Sequence, residues 1–208
     1  MEVLRSATHA LVLLLACLLV CLTVTACTNR APATQEVYDE VVALIEASHT
    51  VNDLAFGAGL PVWDFDSEFA KENHLYRDSD DSYYQYVTDD APFGTILQMR
   101  EAVEAVYSED YARALCETLF DGFALGTTIV RPQYIENNGW LMQRTEYEPI
   151  ITARRVYDYP TMRVVRPSDR THLTVEIESR IEGQSEVSVD KLHLVLEENG
   201  WRLDTPTY

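Results

Sequence analysis

The residues Leu173-Thr174-Val175-Glu176-Ile177-Glu178 alternate apolar and polar side chains without a break. A period of two is that of a β-strand, in which successive side chains point to opposite faces. One face of this strand is therefore expected to be buried and the other wet, which is typical of an antiparallel sheet covered on one side.

Several other segments have the period and the turn residues of short strands. They are the hairpin Tyr134-Ile135-Glu136 and Trp140-Leu141-Met142 around Asn137-Asn138-Gly139, the strands Ile150 to Tyr157 and Met162 to Val165, and Trp201-Arg202-Leu203 after the turn Asn199-Gly200. An Asn-Gly pair between apolar runs is a strong hairpin signal. Val187 and Val189 are out of phase with Leu192 and Leu194, and this slip predicts a β-bulge near Asp190-Lys191.

The N-terminal half has the helical period instead. From Thr34 to about Phe56, apolar residues recur at intervals of three and four, with Thr34 as the expected N-cap and Gly57 as the expected stop. A capping box at Thr95 and a cap at Ser108 begin two further helices. Helices followed by an antiparallel meander predict an α+β class, with residues 34–208 as one domain.

From about Thr95 to Tyr208 this order of elements resembles the NTF2-like and cystatin-like architecture. The resemblance implies N-terminal helices packed on a curved antiparallel β-sheet.

An apolar run from Leu11 to Val24 lies near the start of the chain. It is shorter than the roughly 20 residues of a transmembrane helix and suits the core of a signal peptide. Val24-Thr25-Ala26-Cys27, which closes the run, resembles the lipobox of bacterial lipoproteins. The resemblance implies a leader over residues 1–26, lipidation of Cys27, a tether over residues 27–33 and a place on the extracytoplasmic face of the cell membrane. A leader cleaved after Ala26 without lipidation, or an uncleaved anchor, is the alternative.

The chain carries a net charge of -18. Nucleic-acid binding is not expected, because it needs clustered Lys and Arg to displace counterions. An anionic bilayer also repels such a chain, so membrane contact is expected through the lipid anchor only. Basic protein surfaces, cationic wall groups and divalent metal ions are the partners that this charge favours, and the alternative is that the charge serves solubility alone.

Acids and aromatic residues are interleaved between residues 64 and 90, which we call the acidic-aromatic segment. Aromatic side chains offer rigid apolar area to a partner, and carboxylates attract cationic partners. The predicted partner-binding residues are Asp64, Asp66, Asp78, Asp80, Asp81, Tyr83, Tyr84 and Tyr86. The alternative is a solvated acidic loop whose aromatic residues tuck into the core.

Three further stretches carry a family resemblance: Phe56-Gly57-Ala58-Gly59-Leu60-Pro61-Val62, Tyr83-Tyr84-Gln85-Tyr86-Val87, and the terminus from Asn199 to Tyr208. They are similar to the IseA-type inhibitors of cell-wall DL-endopeptidases, found in Gram-positive bacteria. The resemblance implies that the chain binds and inhibits a peptidoglycan hydrolase without chemistry of its own.

The sequence indicates no catalytic residues, no metal ligands and no cofactor. Asp78-Ser79-Asp80-Asp81 departs from a calcium-binding EF-hand loop, which needs Gly and Glu where Tyr83 and Asp89 stand. Lone Cys116 is expected to be a buried small hydrophobe. The alternative function is a small-ligand or catalytic pocket between helices and sheet, to which His172, His193, Tyr157 and Tyr159 would contribute.

Overall fold

The computed structural model describes residues 30–64, 66–72, 84–144 and 148–208. Within these ranges the helices are α1 (Thr34–Ala55), α2 (Glu68–Glu72), α3 (Ile96–Val106) and α4 (Glu109–Cys116), and a π-helical turn over Glu117–Asp121 extends α4. The strands are β1 (Tyr84–Tyr86), β2 (Phe123–Leu125), β3 (Thr128–Val130), β4 (Tyr134–Asn137), β5 (Trp140–Arg144), β6 (Arg155–Val165), β7 (His172–Ile181), β8 (Ser188–Glu197) and β9 (Gly200–Leu203). The α+β class is confirmed.

The strands form three antiparallel sheets. The largest has the order β6-β7-β8-β9, a second has the order β1-β5-β4, and β2 and β3 form a hairpin of their own. Helices α1 and α3 contact the largest sheet, so one of its faces is covered by helices, as the sequence predicts. None of the helices in the described ranges has the length and apolar character needed to cross a membrane.

The alternation in β7 separates its two faces as expected. Leu173, Val175 and Ile177 are at most 1% exposed and face the helices. They pack with Leu192 and Leu194 of β8, which are 2% and 1% exposed. The hydrophobic core therefore lies between this face of the sheet and the helices.

Helix α1 begins one residue earlier than the sequence predicts. Thr34 is the first helical residue and not the N-cap, which is Ala33. The Thr34 hydroxyl instead accepts a hydrogen bond from the amide of Val164 at 2.9 Å and so joins α1 to β6. The caps predicted for α3 and α4 are confirmed, since Thr95 accepts from the Gln98 amide and Ser108 from the Tyr111 amide. The capping box predicted at Thr95 is incomplete, because the Gln98 side chain accepts from the Gly94 amide.

The predicted β-bulge near Asp190-Lys191 is wrong. The pairing of β7 with β8 runs without a shift past this point, with Ile177 opposite Asp190. The apolar phase changes because Val187 and Val189 lie on the outer face, where they are more than half exposed. The irregularity lies in β6, between Asp158 and Arg163. The two strands predicted from residue 150 to residue 165 are accordingly one bent strand, which begins at Arg155.

Candidate functional site

Four half-buried aromatic side chains lie together at the edge of the β1-β5-β4 sheet. The Trp63 and Phe69 rings are stacked, with centroids 4.1 Å apart and planes at 15°. Trp140 meets Phe69 edge-on at 6.5 Å and Tyr86 edge-on at 5.9 Å. We call these four residues the aromatic row. Offset-stacked and edge-to-face contacts of this kind are the favourable arrangements of aromatic pairs.

Backbone pairing brings the row together from distant parts of the chain. The Trp63 amide donates to the Tyr86 carbonyl at 2.8 Å, which extends the sheet beyond β1. Tyr86 lies opposite Met142 on β5, so Trp140 is its diagonal neighbour. The short helix α2 then places Phe69 on Trp63. The row is thus built on strands and a helix turn that hold its rings in place.

Exposed carboxylates surround the segment that carries Trp63 and Phe69. They are Asp64, Asp66, Glu68 and Glu72. Asp64 accepts the amide of Asp66 at 3.0 Å through its own side chain, which tightens the turn before α2. Lys71 lies 3.4 Å from Glu68, and both side chains are more than half exposed. A single exposed ion pair of this kind leaves the local potential negative.

The aromatic row also contains a donor without an acceptor. Trp63 Nε1 is buried and finds no hydrogen-bond partner among the described residues. A buried donor without a partner costs about 1–3 kcal/mol. A carbonyl or carboxylate brought by a partner would recover part of that cost.

The predicted partner-binding residues fall into three groups. Asp64 and Asp66 are exposed, and Tyr86 is a member of the aromatic row. Tyr84, contrary to the prediction, does not lie at the surface: it is only 2% exposed, and its hydroxyl donates to the Pro132 carbonyl at 2.8 Å. Tyr84 and Tyr86 lie on the same face of β1, since they are two residues apart, but only the Tyr84 end of the strand is fully buried. Asp78, Asp80, Asp81 and Tyr83 lie outside the described residues, as does Cys27.

Phe69 and Trp140 were not among the predicted binding residues. Trp140 belongs to the β4–β5 hairpin, far from the acidic-aromatic segment in the sequence. Phe69 lies within that segment, next to Glu68. Only the tertiary pairing of β1 with β5 brings the two together.

The residues of the alternative catalytic pocket are not brought together. His172 and His193 are exposed on the outer face of the largest sheet, whereas Tyr157 is 7% exposed on its inner face. Tyr159 is half-buried and its hydroxyl contacts Glu46 of α1. The strand alternation puts the sheet between the histidines and Tyr157, so this predicted pocket is wrong.

A hydrogen-bonded polar cluster lies between α1 and the sheet, and two of its members, Asn52 and Thr207, line a cavity of about 250 Å³ beside residues 151–155. Thr207, which is 1% exposed, contacts Ser48 Oγ at 2.6 Å and accepts from Asn52 Nδ2 at 2.8 Å. Tyr107 donates to Asn52 Oδ1 at 2.8 Å, and Tyr157 donates to the Thr207 carbonyl at 3.1 Å. Burial raises the pKa of Tyr107 to about 12, so its hydroxyl stays protonated and donates at neutral pH.

A polar cleft of about 470 Å³ lies between α3, α4 and the turn before β9. Its arginines already have partners. Arg100 pairs with Asp121, Arg113 pairs with Asp110, and Arg202 donates to the backbone carbonyls of Glu104 and Asn199. Cys116 also lines the cleft, but burial raises the pKa of its thiol and so disfavours the nucleophilic thiolate.

Within the described ranges, no group of three or more His, Cys, Asp or Glu side chains is placed to hold a metal ion. Compared with models of known protein families and with curated proteins, the sequence matches none. Function must therefore be argued from the geometry of the chain itself.

Proposed function

We propose that this chain is an extracytoplasmic lipoprotein, tethered through Cys27, that binds a cell-wall peptidoglycan hydrolase and inhibits it by docking. The observation that carries the proposal is the half-buried aromatic row with exposed carboxylates beside it. Trp and Tyr are enriched among the hot spots of protein interfaces, and rim carboxylates select basic partners.

The chemistry of the row favours a cationic partner surface. Lys and Arg side chains gain about 0.5–1 kcal/mol from an aromatic face at exposed sites and more when water is excluded. The carboxylates of Asp64 and Asp66 add attraction without closing over the rings, since both are exposed. The net charge of -18 adds long-range steering toward a basic enzyme surface.

Docking is better supported than catalysis by the described side chains. The buried hydroxyls between α1 and the sheet are bonded to one another. Arg100 and Arg113, which line the polar cleft, are likewise paired with carboxylates. A binding surface needs no such reactive group, and the aromatic row supplies its apolar area.

The proposal can be tested by inhibition of a purified cell-wall DL-endopeptidase acting on peptidoglycan. Wild-type protein should inhibit hydrolysis, and Trp140→Ala should weaken inhibition by about thirtyfold, because truncating an aromatic hot spot costs about 2 kcal/mol. Asp64→Asn with Asp66→Asn should weaken inhibition mainly at low salt. Asp39→Asn, an exposed change on α1, is the matched control and should leave inhibition intact. Equal inhibition by the Trp140 variant and wild type would refute docking through the row.

The anchor has a separate test. Mass spectrometry of the mature N-terminus should find a diacylated Cys27, and Cys27→Ser should release the protein from the membrane fraction. An unmodified N-terminus after cleavage following Ala26 would remove the anchor and leave the docking proposal standing.

A further inference from the structure

The β2–β3 hairpin is an apolar projection from an acidic protein. Phe123, Leu125 and Ile129 are 41%, 69% and 79% exposed. From Gly122 to Val130 the chain has no charged residue. The register places Phe123 and Leu125 on one face of the hairpin and Ile129 on the other, so apolar side chains are exposed on both faces. Exposed apolar surface of this kind marks interaction sites.

The hairpin is held at its base and free at its tip. Gly122 has a φ of +68°, and a Cβ there would lie 2.6 Å from the Val130 carbonyl oxygen, so the two strands close tightly at this end. At the turn, none of the described residues lies within 4 Å of the position that a Cβ on Gly126 would take. The tip therefore stands in open space, outside the described core.

Strand geometry identifies which backbone groups are available. Leu125 pairs with Thr128 across the two-residue turn, and Phe123 pairs with Val130. In an antiparallel hairpin of this loop length these pairs are the hydrogen-bonded ones. The intervening pair, Ala124 and Ile129, then directs its amides and carbonyls away from the hairpin, one on each edge.

We propose that this hairpin is an interaction surface that accepts an extended, basic polypeptide segment as an added β-strand. An added strand would pair with the outward amide and carbonyl of one edge, those of Ala124 or of Ile129, and would lie beside the exposed apolar side chains. The charge of -18 selects the partner, because it attracts a basic segment and repels a second copy of the same chain. A lipid bilayer is a poorer occupant, since the hydrocarbon region leaves open sheet edges without hydrogen bonds.

This surface is separate from the aromatic row. The hairpin base adjoins Pro132, just before β4, whereas Trp140 follows the turn at the other end of the β4–β5 hairpin. The inference does not depend on the proposed function, and variants of the two surfaces can be measured independently.

The test is hydrogen exchange of the full-length protein, read by NMR at single amides. The probe is a synthetic peptide of alternating Lys and Val, with a peptide of alternating Glu and Val as the charge control. At ten times the dissociation constant of the basic peptide, exchange of the Ile129 or Ala124 amide should slow about tenfold, because only about one molecule in eleven remains free. The Leu125 and Thr128 amides, which are bonded within the hairpin, should change little.

A variant pair makes the assignment specific. Ile129→Lys should abolish the protection by charge repulsion at a site that is 79% exposed and so tolerates the change. Leu97→Lys adds the same charge on α3, at a site that is 65% exposed, and should leave the protection intact. Equal or no protection from the two peptides would overturn the inference. Protection by phosphatidylglycerol vesicles alone, or by raised protein concentration alone, would overturn it in favour of a bilayer or a second copy.

Discussion

Replacement of Thr207 by Val should destabilise the fold far more than its place in the closing segment of the chain suggests. Val keeps the shape of Thr and removes the hydroxyl that contacts Ser48 at 2.6 Å and accepts from Asn52 at 2.8 Å. Ser48 keeps its bond to the Ile45 carbonyl, but the Asn52 amide loses its acceptor. Asn52 is only 4% exposed, so the loss of that acceptor leaves a buried amide donor.

The expected cost is that of one buried donor without a partner, about 2 kcal/mol. Thr207→Ser is the matched control, since it keeps the hydroxyl and removes a methyl group worth about 0.8 kcal/mol. The assay is urea unfolding followed by far-UV circular dichroism. At a slope of about 2 kcal/mol per molar urea, Thr207→Val should lower the midpoint by about 1 M, with the slope unchanged.

A double-mutant cycle with Ser48→Ala isolates the contact itself. The two changes should couple by about 1 kcal/mol, since each removes one partner of the same hydrogen bond. The reasoning would be refuted by a Thr207→Val protein as stable as Thr207→Ser. Simple additivity in the cycle would count equally against the Ser48 to Thr207 contact.

Three further predictions concern pH, backbone and thiol. Burial, followed by the charge of Arg154, lowers the pKa of His49 below its ordinary 6.5. The free energy of unfolding should therefore be greatest above pH 6.5 and should fall as the pH drops toward the folded-state pKa of His49. It should fall less steeply in His49→Gln. Equal slopes in acid titrations of the two proteins would contradict this. Both Gly122 and Gly126 have a positive φ, so an Ala at either position should cost about 1–2 kcal/mol. Gly122→Ala should destabilise the protein more than Gly126→Ala in urea unfolding, because only the Cβ at residue 122 would meet the Val130 carbonyl. Maleimide should alkylate Cys116 at least about tenfold more slowly in the native protein than in urea, because the residue is 5% exposed and burial raises the pKa of its thiol. Mass spectrometry of the peptide that contains Cys116 measures the two rates.

Periodicity in the sequence was enough to predict the main elements. The helix from Thr34 and the strand from Leu173 have long, regular patterns, and their buried faces are the ones that the patterns indicate. The Asn-Gly turn before Trp140 is also confirmed, with Asn138 and Gly139 at positive φ. Such signals are local, because they depend on the twofold and 3.6-fold repeats of the backbone.

Patterns without a local cause led to errors or omissions. The change of apolar phase before Leu192 indicated a bulge, but Val187 and Val189 are simply exposed on the outer face. The β2–β3 hairpin was missed altogether, since its strands are three residues each and expose apolar side chains where a pattern of burial would be sought. The order of elements also could not divide the strands among three sheets, because strand partners are set by packing.

The sequence by itself determined the α+β class, the extents of the long helices, the excess of negative charge and the acidic-aromatic character of residues 64–90. Only the tertiary structure decided that Trp140 joins Trp63, Phe69 and Tyr86, and that Thr207 is locked between α1 and the sheet. The physical reason is that a periodic pattern reports only the local conformation of a few consecutive residues. Contacts such as that of Ser48 with Thr207 join side chains 159 residues apart, and they exist only once the helices have packed on the sheet.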